Sequence, residues 1–329
     1  MTIIIYSIII LGSLGLIYGL GLAIASRKFQ VEVDPKIEKI NEILPGANCG
    51  ACGHPGCFAY AEAIATQGEE INKCAPGGEK ACKAIADIMG LKATTRERNI
   101  AVIHCQSGGK DNTLLRYKYE GISTCKAAVL VTNGPNMCDF GCVFQNDCIA
   151  ACNFDAIHLN ENGMRIIDPD KCTGCGACVI ACPRNLIELV PISKKVHILC
   201  STHDKGAVAK RKCGNHTACI GCGLCVKKCP VDAIEMQDGL AVINYTKCIS
   251  CGQCALVCPT KAIVDPLAGK RKKAVILSDK CIGCTICAKK CPVDAISGEP
   301  KKVHKVDSEK CIGCEICFEV CPKNAIEMN

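Results

Sequence analysis

The chain is poor in aromatic residues: it has no tryptophan and only six phenylalanines and six tyrosines in 329 positions. Aromatic packing therefore does not supply its core. No G-x-G-x-x-G follows a strand-like run, and no phosphate-binding loop is present, which removes the usual nucleotide sites. No Ser–His–Asp set or carboxylate pair can be placed, so chemistry on an organic substrate has no visible machinery. With 49% apolar and 22% charged residues the chain is neither disordered nor collagen-like. Nothing in it calls for nucleic acid.

What it has is cysteine, 33 of them. Such density usually marks a short secreted disulfide scaffold, but this chain is long and an odd count cannot pair completely. Metal binding fits better. The formal charge of +7 is then a poor guide, because a four-iron cube with its four thiolates carries about −2, and seven or eight of them turn the total negative.

From Ile3 to Ala25 runs an uncharged stretch of 23 residues, about 34 Å as a helix at ~1.5 Å per residue, enough to cross a bilayer. A secretory signal is the alternative, and Ala23-Ile24-Ala25 resembles a cleavage site. Against it, no Lys or Arg precedes the run, which also exceeds the apolar core of a signal peptide. The reading adopted is an uncleaved single-pass anchor in the cell (inner) membrane. Arg27 and Lys28 follow at once, which places the bulk of the chain in the reducing cytoplasm. Gly15 and Gly19 form a GxxxG pair suited to a close helix partner, or are ordinary membrane-helix glycines.

Six segments repeat one pattern: CNFDAIHL (152–159), CPRNLIEL (182–189), CPVDAIEM (229–236), CPTKAIVD (258–265), CPVDAISG (291–298) and CPKNAIEM (321–328). Proline directly after the cysteine predicts a short helix opening there, with the Ala-Ile pair turning an apolar side chain back toward the metal. Asn162-Gly163 and Asp238-Gly239 predict tight hairpins. Helix plus short strands makes the class α+β.

Five motifs read C-x2-C-x2-C-x3-C-P. Four cysteines in eleven residues followed by proline do not suit structural zinc, which uses two ligand pairs. Thiolates so spaced wrap three corners of an iron–sulfur cube while the fourth leaves for a neighbouring cube. This resembles the bacterial two-cluster ferredoxin over roughly 136–329. The resemblance implies that Cys219, Cys222 and Cys225 share a cluster with Cys258, and Cys248, Cys251 and Cys254 with Cys229. It pairs Cys281, Cys284 and Cys287 with Cys321, and Cys311, Cys314 and Cys317 with Cys291. The first module departs from the pattern, with wider spacing and Asn153 in place of proline. Its expected sets are Cys138, Cys142 and Cys148 with Cys182, and Cys172, Cys175 and Cys178 with Cys152.

Nearer the anchor, NCGACGHPGC (48–57) places Cys49, Cys52 and Cys57 in a glycine-rich loop, and Cys74 returns before Ala75-Pro76-Gly77-Gly78. This resembles the small four-cysteine domain that follows a membrane anchor in the B component of the Rnf complex, an ion-translocating ferredoxin:NAD oxidoreductase. The order of anchor, small domain and ferredoxin modules matches that component over nearly the whole chain, with three modules where shorter relatives carry one. The resemblance implies an electron-transfer subunit of that translocating enzyme, taking electrons from soluble reduced ferredoxin and relaying them through [4Fe-4S] clusters to partners. Those partners are integral membrane and NAD- or flavin-bearing subunits. A single span encloses no pore, so ion transport belongs to them. A polyferredoxin serving another membrane enzyme such as a hydrogenase is the alternative, and a reductase working at one irregular cluster is a third reading.

The expected layout is an anchor at 1–26, the small domain at 27–95, and a small sheet at 96–215 with a module inserted at about 136–190. Modules at 216–268 and 269–329 follow. Cys105 and Cys200 end the matching runs AVIHC and VHILC, expected to pair in that sheet. With Cys125 and Cys213 they make an eighth cluster beside seven, or are buried inert thiols. Cys82 reads as buried filler. His54, His104 and His197 lie near cysteines and read as surface or core histidines. Lys270-Arg271-Lys272-Lys273 reads as a charged linker. Lys289, Lys290, Lys301, Lys302 and Lys305 make the last module basic, a surface that steers an acidic carrier or merely solvates loops.

Overall fold

A computed structural model describes residues 2–28, 34–94, 96–107 and 113–329. Residues 29–33 of the expected small domain and its expected boundary at 95 lie outside the described residues.

Helix α1 (Thr2–Lys28) is 27 residues long. Its segment Ile9–Ser26 has a mean hydropathy of 2.0, and none of it is buried against the rest of the chain. One apolar, unpartnered helix of this length is long enough to span a membrane.

The small domain packs α2 (Pro35–Ile43), α3 (Cys57–Gln67) and α4 (Gly78–Met89) around the fully buried Ile40, Ile64 and Ile85. Asp34 caps α2, accepting from the Lys36 N–H at 2.8 Å with proline at the first helical position. Cys82 is buried in this core, its Sγ 3.5 Å from the Thr94 carbonyl.

Three units of one topology follow. In the first, β1 (Asn99–Ile103) pairs antiparallel with β4 (Ile187–Pro191), and between them lies the hairpin of β2 (Ile157–Leu159) and β3 (Arg165–Ile167). In the second, β5 (His197–Ile198) pairs with β8 (Ile263–Val264) around the hairpin β6 (Ile234–Gln237) and β7 (Leu240–Ile243). In the third, β9 (Ala274–Ile276) pairs with β12 (Ile326–Met328) around β10 (Ile296–Ser297) and β11 (Lys305–Val306). The turns at Asn162-Gly163 and Asp238-Gly239 fall where expected. Asp238 and Gly239 both have positive φ, 47° and 90°, as a two-residue hairpin of this hand requires.

Two expectations are corrected. The runs AVIHC and VHILC do not form one sheet: each supplies the first strand of its own unit and pairs with that unit's last strand. The short helices also precede the last cysteine of each motif rather than follow it, as at Ala177–Ala181, Leu224–Lys228 and Ile286–Lys290. The reason lies three residues after that cysteine. Asp155, Asn185, Asp232, Lys261, Asp294 and Asn324 all adopt left-handed backbone, φ 49° to 55° apart from Asn324 at 47°. Asn and Asp, which hold five of these six positions, tolerate that region, so the residue after the cysteine, proline in five of the six motifs, opens a turn that leads into a strand.

Each unit has a small core in which that pair meets cysteine. Ala156, Ile157, Leu186 and Ile187 are buried with Cys172 and Cys178, and Ala295, Ile296 and Ile326 with Cys287, Cys311 and Cys317.

Candidate metal centres

The loops between the first three cysteines of a motif turn back on themselves. Gly174 and Gly176 have φ of 71° and 80°, and the same pair of left-handed positions recurs at Gly221 and Gly223, Ser250 and Gly252, Gly283 and Thr285, and Gly313 and Glu315. Backbone alternating this way gathers its N–H groups into a concave anion cradle. A Cβ on Gly174 would lie 2.4 Å from the carbonyl oxygen of Asn99, so no side chain fits there.

Around these loops the structure gathers cysteines in fours. One small apolar cavity is lined by Cys152, Cys172, Cys175 and Cys178, and others by Cys219, Cys222, Cys225 and Cys258, by Cys281, Cys284, Cys287 and Cys321, and by Cys291, Cys311, Cys314 and Cys317. Cys229 and Cys248 lie close enough to Cys251 and Cys254 to add to the burial that raises the pKa of those two thiols. In the small domain Cys74 feels Cys49, Cys52 and Cys57 in the same way. Cys57 is the first residue of α3, and its N–H donates to Asn48 Oδ1 at 2.8 Å.

Burial pushes Cys178 and Cys254 up to about 12, and Cys74, Cys225 and Cys317 to about 11, with neighbouring thiols adding to the rise. Thiolates gathered this closely in a buried site need a strong positive charge among them, which iron supplies. Among the described residues no three of His, Cys, Asp and Glu converge as on a single ion. Quartets set around a void suit a cube, whose corners hold thiolates well apart. Most last-position sulfurs also accept a backbone N–H from four residues on: Ala156 to Cys152, Leu186 to Cys182, Ala233 to Cys229, Ala295 to Cys291 and Ala325 to Cys321, at 3.2 to 3.4 Å. Such bonds favour the thiolate and tune the metal. Cys258 differs, with the Thr260 hydroxyl 3.8 Å from its sulfur.

The irregular cysteines regroup. Cys138 does not join Cys142, Cys148 and Cys182; it lines a cavity with Cys105, Cys200 and Cys213. Cys125 takes its place: burial raises its thiol pKa with nearby Cys182 adding to the rise, and Cys125 in turn adds to the rise of Cys142 and Cys148. The long excursion after β1 explains the exchange. Thr124 caps a short helix, Cys125–Leu130, and the Cys125 N–H donates to Asp147 Oδ1 at 2.9 Å, which ties it beside Cys148. Arg184 meanwhile donates to the carbonyls of Cys138, Gly141 and Asn133, holding Cys138 on the other side.

Arg184 was not singled out from the sequence, although it follows only the first module's C-P pair. His304 was missed too: it is 2% exposed, lines the cavity of Cys281, Cys284, Cys287 and Cys321, and carries an Nε2 with no hydrogen-bond partner among the described residues. The three histidines that were singled out make other contacts. His54 lies 5.5 Å from the Tyr60 ring, His104 Nδ1 donates to the Ile198 carbonyl at 2.7 Å, and His197 Nδ1 lies 2.9 Å from the Tyr245 hydroxyl.

Repeated cysteine quartets together with a four-cysteine domain and a helix long and apolar enough to span a membrane define an iron–sulfur electron carrier. Residues 44–76 match the family described as a putative Fe-S cluster, 165–188 a 4Fe-4S binding domain, and 218–263, 241–297 and 274–328 4Fe-4S dicluster domains. The B component of the Na(+)-translocating ferredoxin:NAD(+) oxidoreductase complex of Acetobacterium woodii is 43% identical over 62% of this chain and 61% of its own length. The B component of the ion-translocating oxidoreductase complex of Methanosarcina acetivorans is 40% identical over 64% of this chain and 80% of its own. For the B component of the proton-translocating ferredoxin:NAD(+) oxidoreductase complex of Clostridium ljungdahlii the figures are 38%, 65% and 75%. The chain belongs to the family of B components of Rnf-type ion-translocating oxidoreductase complexes, and is an iron–sulfur electron-transfer subunit of that oxidoreductase.

Proposed function

We propose that this chain carries electrons between a soluble reduced ferredoxin and the membrane subunits of its complex, on seven [4Fe-4S] clusters built from its cysteines. Six sit in pairs in units spanning 99–191, 197–264 and 274–328, and one in the small domain. The ligand sets are those the sequence reading assigns, except that Cys125 replaces Cys138 beside Cys142, Cys148 and Cys182. A four-iron cube bound this way moves one electron with little rearrangement of its ligands. The observation that carries the reading is the enclosure of single apolar cavities by whole quartets of thiols.

The last unit suits the soluble partner. Cys284 is exposed, Ile282 in the same loop is about half exposed, Lys289 and Lys290 lie exposed at the end of the short helix that follows, and the Lys301 N–H donates to the Gly283 carbonyl at 3.0 Å. An exposed apolar loop with lysines nearby fits an acidic carrier in brief contact. The small domain follows the anchor in the chain, which suits exit into the membrane partners, with the bulk of the protein on the side of Arg27 and Lys28. Replacing Cys57 by Ala tests this order. Ferredoxin should still reduce the distal clusters of the assembled complex while NAD reduction stops; sustained turnover would refute the exit assignment.

A further inference from the structure

We infer that Cys105, Cys138, Cys200 and Cys213 hold an additional four-iron cluster shared between the first and second units. The inference rests on the iron–sulfur reading above and adds a site that belongs to neither unit alone. Cys105 and Cys138 come from the first unit and Cys200 and Cys213 from the second, and together they line one cavity. Gly141 forms part of its wall: a Cβ there would stand 3.5 Å from Cys138 Sγ and 3.7 Å from Cys105 Sγ.

The site has internal symmetry. Cys105 stands two residues beyond β1 and Cys200 two residues beyond β5. The Cys105 sulfur accepts the N–H of Cys142 at 3.5 Å, and the Cys200 sulfur accepts the N–H of Cys219 at 3.2 Å. Each donor is itself in a neighbouring quartet, so the shared site is bonded on one side to the quartet of Cys142 and on the other to that of Cys219. The third unit has Ser278 at the matching position beyond β9 and forms no such junction.

Polar contacts stitch the two units together around the four thiols. Ser201 Oγ donates to the His104 carbonyl at 3.0 Å, Asn215 Nδ2 to the Gln106 carbonyl at 2.6 Å, and Gln106 Nε2 to the Lys261 carbonyl at 3.1 Å. Lys212 reaches Asp139, next to Cys138, at 3.4 Å. Four inert cysteines need neither a common void nor backbone donors on their sulfurs; ligated thiolates need both.

Iron counting on anaerobically purified chains tests the grouping. Eight cubes give about 32 irons per chain, and C138A or C213A each lowers this to about 28. The C138A/C213A double variant stays at about 28, because both residues serve one cluster, whereas C125A/C213A falls to about 24. A fall to about 24 in C138A/C213A, or an iron content that C213A leaves unchanged, overturns the inference. Should the variants not accumulate, an iron-edge anomalous map of the unmodified chain reads the same point. Density among these four sulfurs supports the site, and none there beside seven filled quartets refutes it. A chain without iron or labile sulfide would instead overturn the underlying iron–sulfur reading.

Discussion

Arg271 and Asp265 form a two-pronged ion pair, 2.9 and 3.0 Å from one guanidinium nitrogen to the two carboxylate oxygens, with both side chains largely buried between the second and third units. Asp265 also lies against Gly252, where a Cβ would come within 2.1 Å of its Oδ2. Within the basic stretch 270–273, Arg271 is thus anchored while Lys270 and Lys272 stay exposed, and Lys273 donates to the Cys311 carbonyl in the same way that Lys194 donates to that of Cys248.

Removing one partner leaves a buried charge alone, which costs about 3–5 kcal/mol. R271A should therefore lose the visible absorbance of its clusters at a lower temperature, and R271A/D265N should recover part of the loss. Equal melting of R271A and the parent chain would contradict this role.

Gly174 predicts a local loss. G174A forces a side chain against the Asn99 carbonyl at a φ of 71°, so about four irons, those of the Cys172 quartet, should be missing while the others remain. T285G works in the other direction: Thr285 sits at φ 64°, and glycine there relieves about 1 kcal/mol of strain. Its clusters should bleach more slowly under chelator. A parent-like iron content in G174A would count against the cradle geometry.

Chelation separates the two kinds of domain. The cores of the three units consist largely of cysteines and Ala-Ile pairs, whereas the small domain buries Ile40, Ile64, Ile85 and Tyr60 between three helices. Stripping the iron should release amide-exchange protection across 99–328 first and in α2 to α4 last. Simultaneous loss throughout would show that the small domain leans equally on its metal.

Burial lowers His197 to about 4, with His104 adding to the effect, so it is neutral in the folded chain. The unfolded chain takes up the proton first, from about pH 6.5. This contribution to stability is whole above that value and drains away as pH falls toward 4. H197N should flatten that part of the stability profile, read from midpoints in denaturant at fixed pH. A profile that keeps its slope would assign the acid sensitivity elsewhere.

The sequence announces what is local. The regular motifs, the hairpins at Asn162-Gly163 and Asp238-Gly239 and the buried Ala-Ile pairs follow from neighbours a few residues apart. It misleads where a local signal has two meanings: proline after cysteine suits a helix start or a turn, and the left-handed Asn or Asp two residues further on decides for the turn. It is silent where partners are distant. Cys105, Cys138, Cys200 and Cys213 span more than a hundred positions, and nothing in their spacing says that Thr124 and Asp147 draw Cys125 away while Arg184 retains Cys138.

The measurement that bears most directly on all of this is iron and acid-labile sulfide per chain, taken with Mössbauer spectra on anaerobic protein. Near-equal amounts, about 32 of each, in cubes of delocalised iron pairs are the expected result. Bound zinc, or a colourless chain whose cysteines are joined to one another, would contradict the account.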